Sequence, residues 1–363
     1  MSTVDTTSTA EGPAAARPKP KSQGGGFGRY LLIRFLLIFP TIFILVTVVF
    51  FLARTTGDPI TAAQGGRLGP EQLAELRAAA GYDRPLIVQY FEYLGQLLTG
   101  NFGSTLTTNR PVIEVLLTYG PATFELVFYS LIVAFGVGIP LGLLAAYHRD
   151  KVQDAIYRVL AILWYAIPIF FAGLLLKLVF GVWLGWFPIA GRASVRSEIE
   201  METLPNPTGL YTIDAILTGD PAVLMDVLSH AVLPAVALGL LTAGIFLRLV
   251  RTNVIGTLST DYVDAARSRG VAESRLLRKH AYRPALIPIV TVIGLQIALL
   301  LAGAVLTETT FEWRGLGFIL AEFLESRDFV AVQGIVVLLA VIVALTNFVV
   351  DIIAAFIDPR VRY

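Results

Sequence analysis

Six long, nearly uncharged apolar runs leave this chain few folds to choose from. They cover residues 31–53, 122–147, 155–180, 230–250, 285–306 and 329–357. The hydrocarbon core of a bilayer is about 30 Å thick, and a helix needs roughly 20 apolar residues to cross it. In lipid every backbone amide must be paired within the protein, so only helices and closed barrels cross. Barrel strands alternate polar and apolar residues, and these runs are continuously apolar. The sequence therefore predicts an all-α membrane protein with six transmembrane helices. The composition agrees: 15% of residues are charged, against about 25% in a soluble domain.

Several chemistries are excluded at once. There is no cysteine, hence no disulfide, thiolate metal site or cysteine nucleophile. The three histidines, His148, His230 and His280, stand in no metal-ligand spacing. A net charge of +1 gives no field directed at nucleic acid. No G-x-x-x-x-G-K-[ST] loop is present, so the chain cannot cradle ATP phosphates by that route. No cofactor is expected in this chain.

Lys and Arg collect on the cytoplasmic side of membrane proteins. With the N-terminus inside, the inner segments hold 18 of these residues and the longer outer segments hold 9. Both termini are therefore expected in the cytoplasm. Residues 1–28, rich in Ser, Thr, Pro, Ala and Gly, read as a disordered cytoplasmic tail. The next run is too long for a signal peptide and is followed by no A-x-A site, so it is expected to stay as an anchor. Residues 29–120 then form the first span and a long extracytoplasmic loop, and 121–363 form a five-helix core.

Two short helices are expected in the first outer loop, over 70–80 and 84–99. In the second, Leu86, Ile87, Tyr90, Phe91, Leu94, Leu97 and Leu98 recur at three- and four-residue spacing and make one apolar face. Asp83 is a candidate cap and Gly100 a candidate stop. Such a helix suits the membrane surface or packing against other outer loops. The second outer loop, about 187–229, contains PNPTG and is otherwise uninformative.

The inner loop at about 251–284 is far longer than the 2–8 residues usual between packed helices. Its pattern predicts a helix over 261–269, a stop at Gly270 and a second helix over 273–282. A charged helix–glycine–helix knob fits a partner protein. A basic surface resting on anionic lipid is the other reading.

At this loop the chain resembles a family. DAARSRG at 264–270 is similar to the E-A-A-x-x-x-G coupling motif of permease subunits of ATP-binding-cassette (ABC) importers. The flanking text resembles the dipeptide/oligopeptide and nickel branch: RYLLIRFLLIFPTIF with GDP at 57–59, PLIVQYFEYL, PATFELVFYSLIVAFGVGIPLGLLAA, LGWFPIAG, RPALIPIVTVIGLQ, FEWRGLG and DPRVRY. The likeness covers roughly 29–363. Two departures stand out. The usual Glu is Asp264, one methylene shorter. Where the general motif has Ile-x-Leu-Pro, this chain has His280, Tyr282 and Arg283, with proline later at Pro284 or Pro288.

The resemblance implies a type I importer fold in the bacterial plasma membrane. It implies a second homologous permease, two cytoplasmic ATPases carrying ATP and Mg, and an extracytoplasmic binding protein. ATPase coupling would fall to Asp264, Ala265, Ala266, Arg269 and Gly270. An ion-gradient transporter is the alternative; it usually shows internal repeats and mid-bilayer carboxylates. A membrane enzyme would need a convergent nucleophile and base.

Polar residues within the spans admit two readings each. Gln296 and Asn347 line a pathway or hydrogen-bond a neighbouring helix. Glu308 is a further pathway candidate. It lies with Glu125 at the outer ends of spans, where solvation by water is the expected state. Lys177 is expected to snorkel to the interface. Trp183, Trp186 and Phe187 read as an interfacial belt.

Overall fold

A computed structural model describes residues 27–357 apart from 56 and 67. The tail expected at 1–28 falls outside the described residues save its last two positions, and the terminal DPRVRY falls outside them altogether. In chain order the helices are α1 (Phe27–Thr55), α2 (Pro59–Gln64), α3 (Pro70–Ala79), α4 (Leu86–Leu98), α5 (Val112–Tyr147), α6 (Val152–Ala166), α7 (Ile169–Leu176), α8 (Val195–Glu202), α9 (Tyr211–Thr218), α10 (Pro221–Leu258), α11 (Asp261–Ser268), α12 (Glu273–Arg275), α13 (Tyr282–Phe311), α14 (Leu316–Glu325) and α15 (Phe329–Ile357). Wider π-type turns extend α7 over Lys177–Trp183 and join α12 to α13 over Leu276–Ala281. Among the described residues the only β pairing is one bridge, Ser104 to Pro111.

Among the described residues five helices are each long and apolar enough to cross a membrane: α1, α5, α10, α13 and α15. The continuous third span expected at 155–180 is not continuous. It is a pair of helices, α6 and α7, bent by 104°. The cause is Pro168. A residue before proline is pushed out of the helical region, and Ile167 is extended, with φ −77° and ψ 125°. Two spans start well before their apolar runs. α5 begins ten residues early, and α10 begins at Pro221. Asp220 fixes that start by accepting the Ala222 amide at 2.8 Å, with proline in the first turn.

The centre of the bundle is the crossing of α5 and α10, made close by glycine. A Cβ on Gly142 would lie 2.7 Å from Cβ of Val250, and one on Gly239 would lie 2.7 Å from the Ser130 carbonyl oxygen. On the other flank of α10, Gly244 leaves room for the Ala161 carbonyl of α6. Between helices in lipid no hydrophobic drive operates, so close backbone packing of this kind supplies the attraction. Around it, Leu126, Leu238, Leu300 and Trp313 fill one half of the core. Phe246, Val250, Val254, Leu277 and Ala285 fill the half nearer α11.

α1 is peripheral. It rests on α15 through Phe35 and Phe348, with ring centroids 5.7 Å apart, and through Arg34–Asp351 at 3.3 Å. Its other faces leave Leu32, Leu36, Phe39 and Ile44 exposed, as a lipid-facing helix should. In the loop after it, α3 and α4 lie where the sequence places helices. Asp83 does not cap α4, however. That helix starts after Pro85 with no side-chain cap, and Asp83 pairs with Arg77 at 3.6 Å.

The crossing yields a prediction. Gly142→Leu should destabilise the bundle by about 1–3 kcal/mol through overpacking, lowering the unfolding temperature of the detergent-purified protein. Gly136→Leu, where nothing lies within 4 Å of the added carbon, should leave that temperature unchanged.

Candidate functional site

The knob between α10 and α13 is built around one glycine. α11 carries Asp261 and Asp264 in its first turn, where acids oppose the helix dipole. It ends at Gly270, whose φ is +80°. The Gly270 amide donates to the Arg267 carbonyl at 2.9 Å, and the Val271 amide to that of Ala266 at 3.3 Å. This is a Schellman closure, which needs a left-handed residue at the glycine position. Val263 is fully buried and seats α11 on the chain that follows.

The expected second helix begins at Glu273, as the pattern predicts, but it is not a separate element. It runs through the π-type turns directly into α13. Those turns stand where the ring of Pro284 would clash with the carbonyl four residues back. The knob is therefore one short helix folded against the root of a long one.

Arg267 holds the two arms together. It pairs with Asp264 on its own helix and donates to Glu273 across the glycine at 2.6 Å. Asp264, Ala265, Arg269 and Gly270 are exposed, and Ala266 is half-buried. Behind the knob, Asp154 is fully buried and takes two hydrogen bonds from Arg251, both 2.6 Å. That fork ties the start of α6 to the knob-side end of α10.

At the opposite end of the bundle two carboxylates are buried, against the expectation that water solvates them. Glu308 is wholly buried. It accepts from Thr123 Oγ1 at 2.6 Å and from the Phe318 amide at 2.9 Å. The sequence FEWRGLG wraps around it. Trp313, also fully buried, donates its indole N–H to the Ala122 carbonyl at 2.9 Å. Gly315 is obligatory here, because a Cβ would lie 2.5 Å from a Glu308 oxygen.

Glu125 is 4% exposed and pairs with Arg192 at 2.8 Å. Its other oxygen accepts the Thr212 amide at 2.7 Å. Arg192 is 6% exposed. It donates to the Gly209 carbonyl at 2.9 Å and lies 3.6 Å from the centroid of the Tyr211 ring. Burial pushes the Tyr211 hydroxyl pKa up, and the Arg192 charge pulls it back in part. The segment 187–229 is thus a folded cap. α8 and α9 pack on the first turns of α10 through Met201, Ala215, Val223 and Val227. Beneath the cap lies a cavity of about 770 Å³, lined by Tyr119, Arg192, Glu198, Glu202, Tyr211 and Arg314 among others.

The three pathway candidates do not converge. Gln296 is buried in α13, and its Oε1 has no hydrogen-bond partner among the described residues. Glu308 lies twelve residues further along the same helix, about 18 Å away. Asn347 is exposed and faces a groove shared with Arg34, Thr41 and Asp351. Lys177 does not simply snorkel. Its Nζ donates to the Thr310 carbonyl at 2.8 Å and sits 5.5 Å from the Phe311 ring, closing the end of α13. Trp183 and Trp186 are exposed, as a belt requires, but Phe187 packs with Leu233, Ala237 and Phe311.

Sequence reasoning missed Arg192, Thr123 and the burial of both acids. The available signal was a lone arginine directly after LGWFPIAG, opposite an acid in an apolar run.

Two family profiles match the chain. The "Binding-protein-dependent transport system inner membrane component" profile covers residues 138–363, and the N-terminal membrane component profile of the same transport systems covers 27–127. The chain belongs to this family. This permease is 39% identical over 329 residues to the di/tripeptide transport system permease protein DppB of Pseudomonas aeruginosa, covering 90% of this chain and 96% of that one. It is 36% identical to the dipeptide permease protein DppB of Escherichia coli K12, over 92% and 99% of the two chains. The glutathione permease protein GsiC of Salmonella typhi is 33% identical, again over 92% and 99%. A chain from an inward-facing structure of the MetNI methionine ABC transporter shares the fold, with a TM-score of 0.50 at 17% identity, covering 68% of this permease and 97% of that chain. The permease is thus a multi-pass transport subunit of type I ABC importer architecture, and its relatives are permeases, not enzymes. Membership implies ATPase and binding-protein partners.

The buried pair yields a prediction for this permease. Glu125→Leu strands the Arg192 charge and should cost about 3–5 kcal/mol, read as a lower unfolding temperature. Adding Arg192→Met to that variant should restore most of the loss.

Proposed function

We propose that this permease forms half of the translocation pathway of an ATP-driven importer of di- or oligopeptides in the bacterial plasma membrane. One observation carries the cargo class: identity of 33–39% to peptide and glutathione permeases along nearly the whole chain. The other half of the pathway would be a second, homologous permease. Two cytoplasmic ATPases would bind ATP and Mg, and an extracytoplasmic protein would deliver the peptide. The excess of Lys and Arg in the inner segments supports cytoplasmic termini and an inward-facing knob. The chain would divide near 120 into an N-terminal span with its loop and a five-helix core; the two profile matches also part it in two, though further on, between 127 and 138 within α5.

Coupling would run through Asp264, Ala265, Ala266, Arg269 and Gly270. Closure of the ATPase dimer would move the knob, and rigid shifts of α10 and α13 would open the pathway to the other side. Asp264 and Arg269 offer exposed charge to the ATPase groove. Ala265 and Ala266 permit close approach. Gly270 fixes the angle between the arms. Of the pathway candidates, Gln296 has the best support, since its buried Oε1 has no partner here. A second subunit or the cargo would satisfy it. Glu308 is engaged by its own chain, and Asn347 faces the α1 groove.

Two measurements test this reading. The affinity-purified permease should bring with it a protein carrying a phosphate-binding loop, and its absence would remove the ATP-driven reading. Gly270→Val forces a β-branched residue into left-handed backbone, a local cost of roughly 1–2 kcal/mol. The assembled complex should then keep basal ATPase activity and lose stimulation by peptide-loaded binding protein. Undiminished stimulation would remove the role given to this loop.

A further inference from the structure

Helix α4 presents three distinct flanks, and one of them has no partner among the described residues. With 3.6 residues per turn, Tyr90 and Tyr93 fall on one side. That side meets α1. The Tyr90 hydroxyl lies 2.6 Å from Thr47 Oγ1, its ring stacks on Phe51 with centroids 5.6 Å apart, and Tyr93 stacks on Phe50 at 5.5 Å. Glu92 and Gln96 fall on another side, both exposed, with Glu92 paired to Arg84. Between them run Ile87, Phe91 and Leu98, which are 57%, 62% and 89% exposed.

Two features say what covers this stripe. Phe91 of the stripe packs against Tyr90, whose ring lies on Phe51, and Phe51, Val48 and Leu52 are exposed residues of a transmembrane helix, which lipid must cover. And Thr47 sits eight residues before the end of α1. Contact there holds α4 about 12 Å short of that end, at a depth where α1 is still apolar. A helix with protein on one flank, charge on the second and bare aliphatic and aromatic side chains on the third matches the geometry of an interfacial helix.

We propose that α4 lies in the plane of the membrane interface, with Ile87, Phe91 and Leu98 sunk among the lipid acyl chains. It buttresses the end of α1 as an in-plane float. This holds whatever the cargo is, and it resolves the two readings that the amphipathic pattern leaves open.

The absence of cysteine from the whole sequence makes the test direct. Ile87→Cys, Phe91→Cys and Leu98→Cys would each be spin-labelled in the full permease, co-expressed with its partner subunits and reconstituted in phosphatidylcholine–phosphatidylglycerol vesicles. Glu92→Cys and Gln96→Cys serve as the water-facing reference, and Leu52→Cys as the lipid reference. Collision with oxygen and with a water-soluble nickel chelate is measured for every label. Labels at 87, 91 and 98 should favour oxygen, as the label at 52 does, and report depths of about 5–10 Å below the phosphates. Labels at 92 and 96 should favour nickel. Nickel preference at all five positions on α4 would overturn the proposal by placing the stripe in water. Shielding of 87, 91 and 98 from both reagents would overturn it by showing a protein partner on the stripe. Each position is read alone, so failure of one variant to fold leaves the other two decisive.

Discussion

The backbone-close crossing of α5 and α10 is the constraint from which the rest of the bundle follows. Glycines at 138, 142 and 239 bring α5 and α10 together by leaving one side of each contact point without a side chain. Once that distance is set, α6 can only approach α10 where Gly244 admits the Ala161 carbonyl. α13 then closes the core through Leu300 and Leu301. In a soluble protein such a crossing would be one contact among many held by water's exclusion. In lipid it supplies attraction that burial cannot.

Each end of this crossing carries an ion pair with a buried carboxylate. Asp154–Arg251 joins α6 to α10 near the knob, and Glu125–Arg192 joins α5 to the cap at the other end. Buried pairs contribute little net stability compared with apolar replacements, and they cost much when broken from one side. Their value here is positional. Each fixes one segment against a span in a single register, because any other register leaves a charge unpaired in a poorly solvated place.

The architecture was largely legible because lipid imposes length and polarity rules that a single sequence displays. The apolar runs, the glycine stop at 270 and the short helices of the first loop follow from local chemistry. The third run misled because Pro168 sits amid residues as apolar as any span, and a hydropathy pattern does not carry a bend angle. Glu125 and Glu308 misled for a different reason. Their positions at span ends are equally consistent with water and with burial, and the partners that decide it, Arg192 for Glu125 and Thr123 for Glu308, are distant in sequence. Lys177 belongs to the same class. Its partner is the terminal carbonyl of another helix, and no pattern around residue 177 announces it.

The unbroken passage from α12 into α13 has a mechanical consequence. Thirty-nine residues, from Glu273 to Phe311, form one helical rod, roughly 58 Å long. Its foot bears Glu273, clasped by Arg267, and its head bears Glu308 beneath the cap. A stiff strut of that length behaves as a tiller. A small tilt at the foot would sweep the head through a larger arc, and the wider π-type turns at 276–281 mark where the rod departs from regular α-helix.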